Sequence, residues 1–457
     1  MTPHSFALPS TGPTPVGTLP RVRAADQTRL VARLLLPALA EGVIRRRPLP
    51  MALAQRARAD RGAIDELCRL RERYGPGPLR LTPAGRDVAV VLEPDDLARM
   101  LAETPDPFTP AAWEKRRALD RFQPHGSLIT RGPRRAARRE VNERALQWRR
   151  PLHDLAPAVT ARVADEAAGV LRAADGCLTW DGFAVGWWRS VRRVVLGDGA
   201  AGDDLLTDRL ARLRSAGNWS FLMPRRHSAR AAFLDRLAPA VAAAGPDTLA
   251  GRLPEAAAEA GASDTEAAGQ VPHWLFAFDA AGAATLRTLA LLAGHPEAAE
   301  RARAEAADGD PASPRPLPYL RACVEEAVRL WPTTPLLLRE STGDTVWHGT
   351  VVPAGTAFAA FTPYFHRARP AGPYGDAFVP EIWLDGRAER DPALVPFSGG
   401  PGVCPGENVV LLTATAWLAA LIADRAYAVL SPGAPRADAP VPPTIDHFGL
   451  RLAVGPA

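Results

Sequence analysis

Apolar residues recur at helical spacing over Gln27 to Val43 and again over Ile64 to Tyr74, where Gly75-Pro-Gly77-Pro78 breaks the pattern. Leu79 to Leu81 and Ala89 to Leu92 read as short strands, and Pro94 to Leu101 opens another helix. Trp113 to Thr130 has weak periodicity. Residues 151–260 are alanine-rich and helical in pattern, interrupted near Gly197 to Asp204 and at Gly245-Pro246, and they offer no chemistry. Val271 to Ala293 is apolar on every side. Such a segment is either a buried central helix or a membrane span. Asp279 and Arg287 within it make insertion costly, which favours the buried helix. Asp279 then needs a partner or a purpose, and Gly282 lets something pack close. Leu317 to Trp331 is a further helix, stopped by Pro332. Thr333 to Arg339, Thr345 to Gly349, Val351 to Thr356 and Ala357 to Phe361 are short strands. Val409 to Ile422 is a last, largely buried helix, and residues 433–443 form a proline-rich connection. The fold class is therefore mainly α with small β-sheets.

Composition narrows the class. A chain of 457 residues with 47% hydrophobic and 23% charged residues is ordinary for a globular protein. Of 55 basic residues only Lys115 is lysine, leaving 55 − 1 = 54 arginines. With abundant alanine and proline, that skew reflects coding bias and weakens any nucleic-acid reading. No basic block interleaved with aromatics appears either. Cys68, Cys177, Cys323 and Cys404 have neither metal-site nor redox spacing, which fits reduced thiols in the cytoplasm. The start, Met1 to Pro20, is rich in Pro, Thr and Ser without an apolar core, so neither a secretory signal nor a membrane anchor is expected. Residues 1–25 are expected to be a flexible tail and 26–457 a single domain.

The chemistry concentrates at Phe397-Ser-Gly-Gly400-Pro-Gly402-Val-Cys404-Pro-Gly406. Here one cysteine sits in a glycine-rich loop before a helix. The helix dipole and free N–H groups at such a site lower a thiol's pKa. A thiolate held there is a nucleophile, a metal ligand or an accident of a buried cysteine. Arg135 and Arg139, four residues apart, share one helix face. Glu326 and Arg329, three apart, can pair on another.

The order Phe-x-x-Gly-x-x-x-Cys-x-Gly resembles the haem-binding loop of the cytochrome P-450 superfamily. The other motifs follow in the superfamily's order, from about residue 64 to the end. The resemblance implies haem b (iron protoporphyrin IX) with Cys404 as iron ligand, in a loop containing Phe397, Gly400 and Gly406. It implies that Arg135, Arg139 and Arg339 meet the haem propionates and that Glu326 and Arg329 form a buried structural pair. It puts the central helix over the haem, with Asp279 at its acid position and Ala280 where a threonine is usual. Phe276, Ala281, Leu336, Leu337 and Phe448 then line the substrate pocket, His447 reaches it, and Trp219 to Pro224 covers it. Two departures stand out. Gly402 occupies the place of a basic residue, and Ile382 replaces an arginine of the Glu326–Arg329 network, for which His366 or Arg387 could substitute.

The implied activity is a cytoplasmic monooxygenase. It would act on a hydrophobic or aromatic small molecule of secondary metabolism, using O2 and electrons from a separate ferredoxin and ferredoxin reductase. Without a hydroxyl at Ala280, atypical haem-thiolate chemistry (ring coupling, rearrangement, dehydration) is the alternative. A haem-binding sensor or scaffold is the non-enzymatic one.

Overall fold

The computed structural model describes residues 18–310, 312–368 and 374–457. Helices form most of it, around the central helix Val271–Gly294. That helix packs against Trp180–Leu196, Pro318–Leu330 and Glu407–Ile422. The last is apolar all round, as a helix enclosed by others must be. Trp187, Phe183 and Trp417 stack between them, fully buried. Burying each such side chain contributes roughly 1.5–3 kcal/mol.

Gly282 gives the reason for this packing. A Cβ there would lie 2.8 Å from Trp187 Nε1. Its absence lets the indole N–H approach and donate to the Phe278 carbonyl at 2.9 Å.

A second hydrophobic cluster lies under a five-stranded sheet. Its order is Leu79–Leu81, Val88–Val90, Ala357–Phe361, Leu336–Ser341, Phe108–Thr109. Val88–Val90 runs parallel to Ala357–Phe361, and the other pairs are antiparallel. A three-stranded sheet joins Cys177–Thr179, Arg451–Pro456 and Arg425–Val429, and Thr345–Trp347 pairs with Thr350–Val352.

Several boundaries shift from expectation. Most of the tail expected over residues 1–25 lies outside the described residues. Residues 18–25 pack instead: Leu19 and Val22 are buried and Arg21 bridges Arg80. The first helical stretch starts at Ala24 and contains a wide turn at Val31–Leu35. There the Leu36 N–H reaches back to the Val31 carbonyl, next to Pro37, which has no N–H to offer. Helix Pro48–Ala57 was not expected; like Pro133–Ala145, the helix that carries Arg135 and Arg139, it begins at a proline, which suits a first helical turn. The central helix is long and apolar enough to cross a bilayer, but most of its apolar window is buried inside the protein.

Candidate functional site

The two clusters leave a cavity of about 490 Å³ between the central helix and the Cys404 loop. One stripe of the central helix faces it: His273, Phe276, Ala277, Ala280, Ala284 and Arg287, spaced three or four residues apart. Trp180, Ala184 and Trp188, each four apart, face it from the neighbouring helix.

Cys404 lies at the opposite wall. Its N–H donates to the Phe397 carbonyl at 2.9 Å, closing the loop. Gly400 holds φ +58° with its α-carbon turned against the Leu101 carbonyl; a Cβ there would sit 2.2 Å from that oxygen. The expectation of a lowered thiol pKa fails. Burial pushes the thiol up to about 11, although the backbone N–H groups of Gly406 and Glu407 and the charge of Arg139 pull the other way. A naked thiolate is therefore disfavoured here. A thiolate bound to a metal cation is not, because the cation supplies the charge that burial removed.

Among the described residues, nine cationic side chains line the cavity against one carboxylate, Asp279. Four of them gather beside the Cys404 loop. Arg339 is buried and donates only to neutral oxygens: Thr104 Oγ1 (3.1 Å), Ser398 Oγ (3.2 Å) and the Leu338 carbonyl (3.0 Å). Burial, with Arg135 nearby, lowers its pKa to about 10. Lys115 Nζ donates to the same Leu338 carbonyl at 3.0 Å. Burial, with Arg339 beside it, holds this amine at about 7. Arg135 Nε and Arg139 Nη2 are buried without partners, though Arg139 Nε pairs with Glu143 at 2.6 Å. Uncompensated buried cations are costly. A flat, largely apolar group with two carboxylates would satisfy them, and haem has that chemistry. The absence of a basic residue at Gly402 also finds a cause. The Arg339 guanidinium fills that space, 3.0 Å from where a Gly402 Cβ would be.

Asp279 meets Arg214, from helix Asp204–Gly217, with 2.5 Å between Oδ2 and Nη2. Arg214 also donates to the Ile44 carbonyl (3.1 Å) and lies 4.9 Å from the Phe276 ring centre. Its helix belongs to the stretch expected to carry no chemistry. Loop Gly42–Arg47 forms another unforeseen wall.

Glu326 and Arg329 are fully buried and bidentate, at 2.7 and 2.6 Å. Glu326 also accepts from the Val379 N–H and from Trp383 Nε1, each at 2.9 Å. Trp383, not an arginine, thus completes the network beside the buried Ile382. His366 joins through its carbonyl, which accepts from Arg329 Nη1 at 2.8 Å. Arg387 does not; it pairs with the exposed Asp385.

Of the expected pocket residues, Phe276, Ala281, Leu337 and Phe448 line the cavity, and His447 with them. Leu336 does not. Strand side chains alternate, so Leu337 and Arg339 face the cavity while Leu336 packs on the second hydrophobic cluster. In the loop, Phe397 and Cys404 line it, whereas Gly400 and Gly406 shape the backbone behind it. Trp180 and Trp188 were missed, although their spacing on an apolar helix was available. The Trp219 to Met223 segment is largely exposed, with Arg47 stacked 5.1 Å from the Trp219 ring.

This arrangement is a mainly helical protein with a cation-lined cavity of a size and polarity that suit a flat, anionic prosthetic group beside the Cys404 thiol. Known proteins agree. The cytochrome P450 family model matches residues 248–424. Cyclooctat-9-en-7-ol 5-monooxygenase of Streptomyces melanosporofaciens is 35% identical over 175 residues, covering 36% of this chain and 38% of that enzyme. Sugiol synthase of Salvia miltiorrhiza is 40% identical over 109 residues, 22% of each chain. The matched segments thus span well under half of these curated relatives. In fold, the chain is similar to a structure titled "Retinoic acid bound cyanobacterial CYP120A1", with a TM-score of 0.69 and 19% identity, over 85% of this chain and 94% of that one. Residues 248–424 thus match the cytochrome P450 family, whose cofactor is haem, and the chain shares that fold.

Proposed function

We propose that the chain is a haem-thiolate monooxygenase that oxidises a largely hydrophobic small molecule. O2 is the co-substrate and a separate ferredoxin with its reductase supplies electrons, in the cytoplasm. The observation that carries this reading is Cys404 facing the Ala280 stripe across a cavity where Lys115, Arg135 and Arg339 form no ion pair among the described residues. Bound haem supplies the activation of dioxygen, which a thiolate ligand favours. Cys404 would ligate the iron. Lys115, Arg135, Arg139 and Arg339 would hold the propionates, Arg139 while still paired with Glu143. Phe276, Trp188 and Phe448 would orient substrate and exclude water. Asp279 would accept and pass protons at Oδ2 when Arg214 releases it.

Ala280 brings no hydroxyl into this stripe. The hydroxyls of Thr285 and Thr288 are committed to the carbonyls of Ala281 and Ala284, each at 2.8 Å. That observation favours a second reading, in which the enzyme couples, rearranges or dehydrates its substrate without inserting oxygen. The named substrate of one relative, cyclooctat-9-en-7-ol, is in keeping with a hydrophobic ligand.

The reduced protein with carbon monoxide is expected to show the far-red-shifted Soret band of a thiolate-ligated haem, and Cys404→Ser to lose it. A protein without haem, or a Cys404→Ser variant with an unchanged spectrum, ends the proposal. Turnover under labelled dioxygen with a surrogate ferredoxin system separates the two readings by whether label enters product.

A further inference from the structure

The end of the cavity beyond Ala280 holds charge that the proposed reaction leaves unused. Arg287 lies two helical turns past Ala280 on the cavity-facing stripe and is only 4% exposed. Its Nη1 donates to the Trp331 carbonyl at 3.0 Å and its Nη2 lies 3.3 Å from His447 Nδ1. Its Nε is buried with no partner. Among the described residues no carboxylate forms an ion pair with it. Burial, then the charge of Arg46 from loop Gly42–Arg47, which also lines the cavity, lowers the Arg287 pKa to about 10, against the opposing charges of Asp60, Glu41 and Asp446 nearby. The carboxylate behind Arg46 is Glu41, 3.0 Å away and outside the cavity wall. Burial pushes Glu41 up to about 7 against the pull of Arg46, its ion-pair partner. Trp180 and Phe448 pack on His447 at this end, and Trp188 and Phe276 also line the cavity. A largely apolar cavity with two guanidinium groups at one end, of which Arg287 has no ion pair among the described residues, suits a ligand of the same polarity pattern.

We propose that the substrate is a hydrophobic carboxylic acid whose carboxylate docks between Arg287 and Arg46. This rests on the haem-thiolate reading above and adds the substrate class to it. The carboxylate accepts from Arg287, whose Nε otherwise has no partner, and charge-assisted bonds of this kind are the strong ones. An ester of the same skeleton brings no charge and accepts more weakly. Ala280 and Arg287 are seven residues apart, so about 10 Å of helix axis separates them. The oxidised carbon therefore lies far from the acid group, in the body of the skeleton. The carboxylate is an anchor and takes no part in bond making.

Arg287 could instead serve only to bolt the helix to the Trp331 loop. That role affects folding but not the preference for an acid over its ester. The test uses the haem-loaded protein and calorimetric titration with dodecanoic, retinoic and 4-phenylbutanoic acids, each against its methyl ester. At least one acid is expected to bind on the order of tenfold more tightly than its ester. That ratio is expected to fall to near one in Arg287→Met and in Arg46→Met. Arg46 is 19% exposed at its side chain, so its variant carries the test if Arg287→Met does not fold. Acids and esters that bind alike, acids that do not bind at all, or a preference that survives both substitutions overturn the proposal. Failure to take up haem is seen beforehand in the reduced carbon monoxide spectrum, and it overturns the underlying reading instead.

Discussion

Two of the acid–guanidinium pairs in this fold are built for opposite ends. Glu326–Arg329 is saturated. Both side chains are 0% exposed, and Arg329 also donates to the carbonyls of His366, Gly375, Tyr374 and Ala377. Arg214–Asp279 is sparse. One contact joins them, Asp279 keeps 29% of its side chain exposed towards the cavity, and Arg214 Nε has no partner. A carboxylate with every lone pair engaged cannot change partners without breaking the fold around it. A carboxylate with one partner and open space can. Saturation marks the pair that holds the structure, and incompleteness marks the pair available to chemistry.

The sharpest way to break this comparison is Glu326→Ala. It strands a buried guanidinium, so a loss of about 3–5 kcal/mol in urea unfolding is expected. A loss below 1 kcal/mol would remove the distinction.

The second test is pH. His366 links Arg329 to the Cys404 loop: its Nδ1 lies 3.1 Å from the Arg329 carbonyl and its Nε2 accepts the Val395 N–H. Burial, then the charge of Arg329, depresses its pKa from 6.5 to about 3. Between those values the unfolded chain binds the proton more readily. The stability from neutral His366 is therefore complete above about pH 6.5 and drains as pH falls towards 3, at up to about 1.4 kcal/mol per unit. His366→Gln is expected to flatten that part of the stability profile.

Trp383→Phe removes one donor to Glu326 and is expected to cost about 1.5–3 kcal/mol in the same unfolding assay. Arg214→Met is expected to cost least, about 1 kcal/mol or less, because its partner can be solvated. Its effect should appear instead in turnover, as an altered solvent isotope effect and altered coupling of electrons to product.

Much of this was legible in the chain. The apolarity of Val271 to Ala293 announces a buried helix, and the carboxylate of Asp279 within it is an anomaly that requires a partner. The partner itself was not legible. Arg214 is one of 54 arginines, and only the crossing of two helices selects it. Leu336 and Leu337 show a different limit, since a strand's apolar run does not say which parity faces the cavity. The Cys404 thiol failed for a third reason. Local reasoning sees the helix that follows it, but not the burial that outweighs that helix. Trp383 as the donor to Glu326 was hidden because the expected slot, Ile382, lies one residue earlier in the chain.

Lys115 gives the molecule an unplanned reporter. It is the sole lysine, and its amine is held at about 7 beside Arg339. Near neutrality an amine-directed reagent therefore meets one unusually nucleophilic side chain. Once an anionic group fills the space in front of it, that nitrogen becomes charged and shielded. Mass spectrometry of acylated protein would then count how many molecules in a preparation have been loaded, independently of colour.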